Sequence, residues 1–526
     1  MTALTGRVRT SPRTPVVLGP LAASLLICAA AALTGFLTAE RGLMVIGALL
    51  ALVTAIGLAL RPDRATLIVV AILYSNAAAI AVQRYDIPYF AGAAFPLLLI
   101  VPFAYHIVVR RQPIIIASGL PFMLGYFVIL ILGIAAGMAA DPDRALDMLV
   151  TFIVEGLLIY VAVTNSIRSL ADLRMVVWVL LAVGFFLGAL SIHQQVTESF
   201  ASDYGGFAKV SEAVISTGTG TPEASGQPRL SGPIGEKNRY AQIMVVLLPL
   251  GMFRVWGERR AVLRVLAATA TLVTAFGAVL TFSRGAALGL AVAVALMALF
   301  RYIKPSQLIA VVLGVVVLFT LQPSYLERLT TLDALGGATG TVGSTEAEDS
   351  SIRKRANETI AALLVFADHP VIGVGRGLFP LYYGDYADEV GIASENEARQ
   401  AHNLYAGIAA ETGLLGFLSF MGVFGATLFA LDQARRRWRI RAPEYADMAT
   451  GFILALVTYL TTGMFLHLAY ERYMWIILAL AGSAAYLGLK GPLTGAGEAD
   501  RDASVARTIP PDASRLATGP DGLRVG

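Results

Sequence analysis

The chain contains little cysteine, histidine or charge. Its 526 residues include one cysteine, Cys28, and five histidines, and only 14% are charged. A single cysteine excludes a disulfide framework and a thiolate metal site. The scattered histidines show no HExxH or similar spacing, so no metal site is predicted. A P-loop is also absent, because "GVGRG" at 373–377 lacks the Lys-Ser/Thr pair and predicts a tight turn instead.

Long apolar runs take the place of charge. Hydrophobic residues make up 56% of the sequence, and the mean hydropathy is +0.70. Such runs are typical of membrane helices when they exceed about 18 residues. We predict an all-α polytopic integral membrane protein with about fourteen transmembrane helices. The predicted spans are 16–38, 42–60, 65–83, 90–109, 118–140, 146–166, 173–194, 238–254, 261–281, 285–301, 306–321, 412–431, 447–467 and 473–490.

The basic residues between these spans indicate an orientation. Arginines and lysines cluster in alternate turns, whereas the other short turns hold only Arg41, Arg84 and Arg144. The positive-inside rule then places both termini in the cytoplasm and the polar segments 195–237 and 322–411 outside it. The net charge of +4 is explained by cytoplasmic anchoring, and no nucleic-acid partner is expected.

The same pattern predicts the organisation of the chain. It divides into 1–194 (transmembrane helices), 195–237 (periplasmic polar loop), 238–321 (transmembrane helices), 322–411 (large periplasmic loop), 412–490 (transmembrane helices) and 491–526 (cytoplasmic tail). The tail is predicted to be disordered by its composition, and 334–350 to be flexible. Apolar residues at 352, 356, 360, 363 and 364 predict an amphipathic helix on the outer membrane face, stopped by Pro370.

Some cations are not explained by topology. Lys237 and Arg239 lie at the external end of their span, where snorkelling to lipid phosphates is the alternative explanation. Arg284 lies in an external hairpin with no acidic neighbour in sequence, and needs an anion. That anion is either a ligand or a protein carboxylate, for which the intramembrane Glu155 is a candidate.

A further cluster precedes the twelfth predicted span. Arg399 and His402 are three residues apart and share a face if this segment is helical. Glu411 falls on the other side of a straight helix, which favours a packing or capping role over pairing with His402. The remaining histidines, at 106, 193, 369 and 467, are interpreted mainly as interfacial or helix-end residues.

These residue types suit one kind of chemistry. Guanidinium groups bind phosphate through two hydrogen bonds and stabilise a leaving phosphate in a poorly solvated site. Histidine can accept a hydroxyl proton near neutral pH. Attack of a hydroxyl on a carbon that carries a lipid-linked pyrophosphate would use both. Residue chemistry alone does not single out this reaction.

Four motifs narrow the choice. "GPIGEKNRYAQ", "TFSRGAALGL", "HPVIGVGRGLF" and "AHNLYAGIAAETGLLG" occur in this order within 232–431. Together they resemble the superfamily of bacterial O-antigen ligases and of O-antigen and exopolysaccharide polymerases. The resemblance implies a metal-independent, inverting glycosyltransferase that needs no cofactor and lies in the bacterial inner membrane. Its site would face the periplasm, and its donor would be an undecaprenyl-pyrophosphate-linked glycan.

The resemblance also implies roles for individual residues. His402 resembles the histidine that activates the acceptor hydroxyl, and Arg284 resembles an arginine that holds the donor pyrophosphate. Arg239 resembles a second pyrophosphate-binding arginine, although "EKN" stands here in place of the family's N-P-N-like run. Possible helpers without a family assignment are Lys237, Arg399, Arg376 and Arg355.

Several functions stay open at this stage. A ligase would transfer the glycan to a glycolipid acceptor, and a polymerase to another lipid-linked repeat of O-antigen or exopolysaccharide. A transporter or flippase for lipid-linked oligosaccharides is an alternative of another class. It is disfavoured because the sequence shows no internal repeat and its unexplained charges gather at one face. A non-enzymatic scaffold of envelope assembly predicts that His402 and Arg284 are dispensable.

Overall fold

The structure is a computed structural model that describes residues 62–85, 95–211, 215–216, 222–223, 228–299, 302, 304–321, 345–389, 399–469 and 471–490. The predicted spans 16–38 and 42–60, part of the predicted flexible segment 334–350, and the tail 491–526 therefore lie outside the described residues.

The first described half is helical apart from short connections. It contains α1 (Ala65–Tyr74), α2 (Ala77–Tyr85), α3 (Ile100–Ala104), α4 (Leu120–Ala140), α5 (Pro142–Thr151), α6 (Ile159–Ser166) and α7 (Leu170–Val196). A π-helical turn, Tyr105–Val109, extends α3, and another, Phe152–Leu158, joins α5 to α6.

The second half begins with short strands and continues with helices. The strands are β1 (Lys209–Ser211), β2 (Ile215–Ser216), β3 (Pro222–Glu223) and β4 (Arg229–Gly232). The helices are α8 (Lys237–Gly257), α9 (Ala261–Val279), α10 (Arg284–Leu299), α11 (Pro305–Leu321), α12 (Thr345–Asp368), α13 (Phe379–Glu389), α14 (Leu404–Arg441), α15 (Pro443–Gly463) and α16 (Arg472–Lys490).

Seven of the described helices are long and apolar enough to cross a membrane: Pro142–Ser166, Leu170–Val196, Lys237–Gly257, Ala261–Val279, Leu404–Ile440, Pro443–Gly463 and Arg472–Lys490. They coincide with seven of the predicted spans. The predicted span 65–83 is α1 and α2, which meet at a 55° bend. Four other predicted spans fall on shorter apolar helices, so the count of fourteen stays a prediction.

The core of the bundle lies among α8, α15 and α16. About three quarters of the apolar window of each is buried, compared with 28% for α9. Outer helices expose large apolar side chains, which suits contact with lipid because lipid tails are as apolar as those side chains. Helices α7 and α9 cross closely at Gly188, where an added Cβ would lie 2.4 Å from the carbonyl oxygen of Val273.

The strands correct the all-α prediction for segment 195–237. Strand β1 pairs antiparallel with β4, and β2 with β3, in two separate two-stranded sheets. Apolar side chains in β1 and β4 occur singly among polar ones, so hydropathy gave no signal for them. Strand β4 matters for the site because Leu230 is buried and the chain then turns directly into α8.

Helix α12 begins earlier than predicted. It starts at Thr345, so residues 345–350 are helical and belong to no flexible loop. Glu358, Ala361, Ala362 and Val365 form the face that packs on the protein, and Ile360 and Leu363 of the predicted membrane-facing side are 43% and 50% exposed.

Helix α14 is kinked at Gly413, where φ is 64° and ψ is −169°. The segment 370–375 lies against this kink. The amides of Val374 and Gly375 donate to the carbonyls of Ala410 and Glu411, and the amide of Leu414 donates to Pro370 O at 2.7 Å. Partners from outside the helix thus replace part of its own hydrogen-bond ladder, which explains the kink. Positive φ at Gly373, Gly375 and Gly377 confirms the tight turn predicted for this motif.

Candidate functional site

His402 lies just before α14, in a backbone conformation set by the helix cap. The side chain of Asn403 accepts hydrogen bonds from the amides of Tyr405 (3.0 Å) and Ala406 (3.2 Å), so Asn403 is the N-cap. His402 itself has φ of 41°, in the left-handed region. Its side chain is 35% exposed. A strained backbone of this kind is found where surrounding structure fixes a side chain in place.

The partner of His402 is a carboxylate that sequence reasoning missed. Glu358 Oε2 lies 2.8 Å from His402 Nδ1, and Glu358 Oε1 lies 3.5 Å from a guanidinium nitrogen of Arg399. Glu358 is only 2% exposed. Glu358 lies on the core-facing side of α12, because it precedes the buried Ala361, Ala362 and Val365 by three, four and seven residues. A charged residue therefore interrupts a buried apolar face. That pattern is the signal that could have found it.

A second imidazole faces the first. The ring of His467 lies 5.4 Å from that of His402, with the planes at 81°. Burial lowers the pKa of His467 to about 3, helped by the positive charges of Arg239, His402 and Arg376. His467 is therefore a neutral ring at physiological pH. Its buried Nδ1 has no hydrogen-bond partner within the part of the chain that the structure describes.

Arg239 is placed in the interior at the start of α8. It is 3% exposed, and its guanidinium donates to Gln242 Oε1 at 3.0 Å and to the carbonyl oxygen of His467. Glu236 caps the helix, accepting from the amides of Asn238 (2.9 Å) and Arg239 (2.6 Å). Arg239 thus ties α8 to the segment that carries His467, and Lys237 lies half-buried on the first turn beside it.

Arg284 is the first residue of α10, and the turn before it is held by another arginine. Arg229 of β4 donates to the carbonyl oxygens of Thr281 (3.3 Å) and Phe282 (2.9 Å). Phe282 has φ of 53°, so this short turn is strained as well as braced. Arg284 is half-buried. The role of Arg229 was not predicted, because an arginine that donates to the backbone carbonyls of a distant turn leaves no pattern in the sequence.

Arg355 joins the separate parts of the site. It is half-buried on α12, one turn before Glu358. Burial lowers the pKa of its guanidinium, and the charge of Arg284 lowers it further, against the opposite effect of Glu236 and Glu358. Two guanidinium groups close enough to oppose each other's charge define a place where an anion would be stabilised.

Arg376 has a different setting from the other predicted helpers. Its side chain is 10% exposed, and its guanidinium pairs with Glu411 and, at 2.8 Å, with Glu471. Burial acts to lower the pKa of Arg376, but Glu411, Tyr126 and Glu471 raise it well above its ordinary value. Two carboxylates already surround this cation, which favours a structural role. Glu411 is thus a partner of Arg376 and not of His402, as expected.

The candidate pairing of Arg284 with Glu155 is not observed. Glu155 lies in the π-helical turn between α5 and α6, and its carboxylate accepts from Arg472 at 2.7 Å. Arg472 also donates to Asn76 at the bend between α1 and α2, and Asn76 donates to Pro233 O at 2.8 Å. Arg472 therefore braces the loop that precedes α8 through Asn76, and its neighbour Glu471 pairs with Arg376; both residues were missed from sequence.

The predicted residues thus converge at one end of the bundle, here called the His402 end. It comprises the N-termini of α8, α10 and α14, the middle of α12, and residues 464–469 and 471. His402, Arg399, Arg355, Arg284, Lys237 and Arg239 lie there together, while Arg376 lies behind them in its ion pairs. Within the described ranges, no three His, Cys, Asp or Glu side chains are grouped to hold a metal ion.

Seven long apolar helices around a cation-rich end define a multi-pass membrane protein. Residues 269–421 match the family model described as O-Antigen ligase, and three of the four motifs fall inside this match. The match confirms the resemblance to the O-antigen ligase superfamily and supports a membrane enzyme of polysaccharide biosynthesis. A comparison with curated proteins finds no match.

Proposed function

We propose that the protein transfers a glycan from an undecaprenyl-pyrophosphate donor to a sugar hydroxyl of an acceptor, with inversion at the anomeric carbon. The observation that carries this proposal is the His402 end itself. A half-exposed imidazole on a buried carboxylate stands beside partly exposed arginines, in a segment that matches the O-Antigen ligase family.

The reaction assigns a step to each group. His402 accepts the proton of the acceptor hydroxyl as the oxygen attacks the anomeric carbon. The bond from that carbon to the pyrophosphate oxygen breaks, and the leaving undecaprenyl pyrophosphate takes the electron pair. Nearby guanidinium groups stabilise the charge that develops on it. No metal or cofactor is assigned a role in this step.

Exposure ranks the cations as ligands of the pyrophosphate. Arg284 and Arg355 are half-buried and close to one another, so both can reach a bound anion. Arg239, 3% exposed and bonded to Gln242 and His467, contributes its positive charge and holds the site together. Lys237 and Arg399 flank the site, and Arg376 supports it from its ion pairs.

The orientation follows from the positive-inside rule. Arg254 lies near the opposite end of α8, Arg259 and Arg260 follow in the turn, and Arg264 lies on the first turn of α9. The rule places all of them in the cytoplasm. The His402 end then faces the periplasm, and the enzyme lies in the inner membrane. Segments 195–237 and 322–411 would meet the acceptor there, and membrane lipids would surround the bundle.

The test compares variants in a strain that lacks its own copy of the gene. His402→Ala and Arg284→Ala should abolish the surface glycan seen on gels, whereas His193→Ala and Arg84→Ala, matched controls on other parts of the chain, should not. Normal glycan from stably inserted His402→Ala would overturn the proposal and favour a scaffold.

The same strain separates the ligase from the polymerase. Long polymer that accumulates on the lipid carrier after deletion identifies a ligase, and single lipid-linked repeats identify a polymerase of O-antigen or exopolysaccharide. Donor that accumulates on the cytoplasmic face would instead identify a flippase.

A further inference from the structure

Glu358 and His402 form a close pair that no sequence motif indicated. The carboxylate lies on α12 and the imidazole before α14, 44 residues apart in sequence, and the two are joined by one hydrogen bond of 2.8 Å. The carboxylate is buried and the imidazole is partly exposed. A buried carboxylate that accepts a hydrogen bond from a partly exposed imidazole is the arrangement expected when the carboxylate orients that ring for its reaction.

The hydrogen bonds fix which ring nitrogen carries the proton. His402 Nδ1 contacts Glu358 Oε2 and, at 3.1 Å, the backbone carbonyl oxygen of Gln400. A carbonyl oxygen can only accept, so Nδ1 must be the donor. In the neutral ring, Nε2 is then left with a lone pair. That is the form needed to take a proton from a hydroxyl.

The carboxylate is itself held in place. Oε1 of Glu358 faces Arg399 at 3.5 Å, which leaves Oε2 for the imidazole. Arg355, on the same helix, senses the negative charge of Glu358. Ala361, Ala362 and Val365, on the same face of α12 as Glu358, are buried in an apolar cluster, and this packing limits the movement of the helix. Cations around a buried carboxylate offset the cost of its desolvation.

We propose that Glu358 is a positioning residue that holds His402 in its Nδ1–H tautomer and stabilises the imidazolium formed as the acceptor hydroxyl loses its proton. The proposal rests on the proposed function, in which His402 is the base. The proton moves from the hydroxyl to Nε2, and Glu358 stays ionised throughout. Arg399 orients Glu358 from the other side.

The test measures glycan transfer against pH in membranes from cells that have accumulated the lipid-linked donor. Glu358→Gln should lower the rate at pH 7.5 by about 10- to 100-fold, because the amide can present its N–H to the ring and favour the wrong tautomer. The acidic limb of the pH–rate profile should also move to lower pH, since the imidazolium loses its anionic partner.

Other titratable groups lie around this pair and must be kept unchanged for this profile to be interpreted. Arg355, Arg399 and Tyr383 interact with Glu358, and His467, which faces the ring, interacts in turn with Arg239 and Arg376. Asp368→Asn is the matched control, because Asp368 lies on the same helix and its carboxylate accepts a hydrogen bond of 2.8 Å from Tyr386. It should leave rate and profile unchanged.

The outcomes separate the two proposals. Inactive His402→Ala with Glu358→Gln within twofold of the wild type would overturn the role of Glu358 alone. Active His402→Ala would overturn the proposed function first. A slower Glu358→Gln with an unshifted profile would show a merely structural residue and overturn the role.

Glu358→Asp decides the case if Gln at 358 prevents stable insertion. It keeps the anion but shortens the side chain by one methylene group. A wild-type pH profile with a reduced rate supports the role, and a wild-type rate overturns it.

Discussion

The two ends of α8 use charge in opposite ways. At its C-terminal end, buried Arg254 pairs with Glu258, and Arg174 bridges Glu258 (2.8 Å) and Glu444 (3.1 Å). Arg264 adds a hydrogen bond of 2.8 Å to the carbonyl oxygen of Glu258. These three arginines each contact a carboxylate or carbonyl oxygen of the protein. Burial acts to raise the pKa of Glu258, but Arg254 and Arg174 lower it below its ordinary value.

At the N-terminal end, cations are in excess of the carboxylates around them. Among the described residues, Lys237, Arg239, Arg284, Arg355 and Arg399 surround the two carboxylates Glu236 and Glu358. One of these carboxylates caps a helix and the other bonds the imidazole. The ion pairs at the C-terminal end hold helices together, whereas we expect the positive charge gathered at the N-terminal end to favour an anionic ligand.

The largest expected effect is a loss of transfer rate when a cation at the N-terminal end of α8 is removed. Arg284→Ala should lower the transfer rate by about 100-fold or more, because a developing charge on the leaving group loses a fixed donor. Thermal unfolding in detergent should be nearly unchanged. Arg84→Ala, which removes an exposed pair with Asp203 (3.4 Å), is the control. A rate within threefold of the wild type would contradict the role.

The opposite result is expected at the C-terminal end. Glu258→Gln should lower the free energy of unfolding by about 3 kcal/mol, because it leaves the buried Arg254 with only its longer ion pair to Glu444 (3.6 Å). Activity per inserted molecule should stay close to the wild type. Arg259→Ala, at an exposed position nearby, should change stability by less than about 0.5 kcal/mol. Equal stability of Glu258→Gln and Arg259→Ala would argue against a structural cluster.

A smaller effect is expected from Arg229, which lies at the proposed ligand-binding end but bonds the protein itself. Arg229→Ala should lower the transfer rate about 10-fold by releasing the turn that presents Arg284, an indirect loss of orientation. Arg229→Lys should recover part of this rate. An unchanged rate for Arg229→Ala would show that the turn keeps its shape without the brace.

The smallest effect concerns His467. Its folded pKa of about 3 lies below the ordinary value of 6.5, so between these values the unfolded chain binds a proton that the folded protein does not. Stability from this group is present above pH 6.5 and is lost as pH falls, by about 1 kcal/mol between pH 7.5 and 5.5. His467→Asn should remove this part of the pH dependence of unfolding in detergent. An identical slope for both proteins would contradict it.

Sequence reasoning found the features that can be recognised from the order of residues along the chain. Apolar length predicted the seven long helices, and charges on the wrong side of the topology singled out Lys237, Arg239 and Arg284. It missed residues whose role depends on a distant partner. Glu358 bonds a ring 44 positions away, and Arg472 bonds Glu155 across 317 positions. A single charge in a buried stripe becomes informative only when its partner is known.

The kink of α14 has a consequence for how such a chain can vary. His402 lies just before α14, and Glu411 lies about two helical turns into the helix. Backbone hydrogen bonds join the glycine turn to α14 at Ala410 and Glu411. An insertion of one residue between Asn403 and Gly413 would rotate one end against the other by about 100°. The number of residues between Asn403 and Gly413 therefore sets how the two ends of this segment are oriented toward each other.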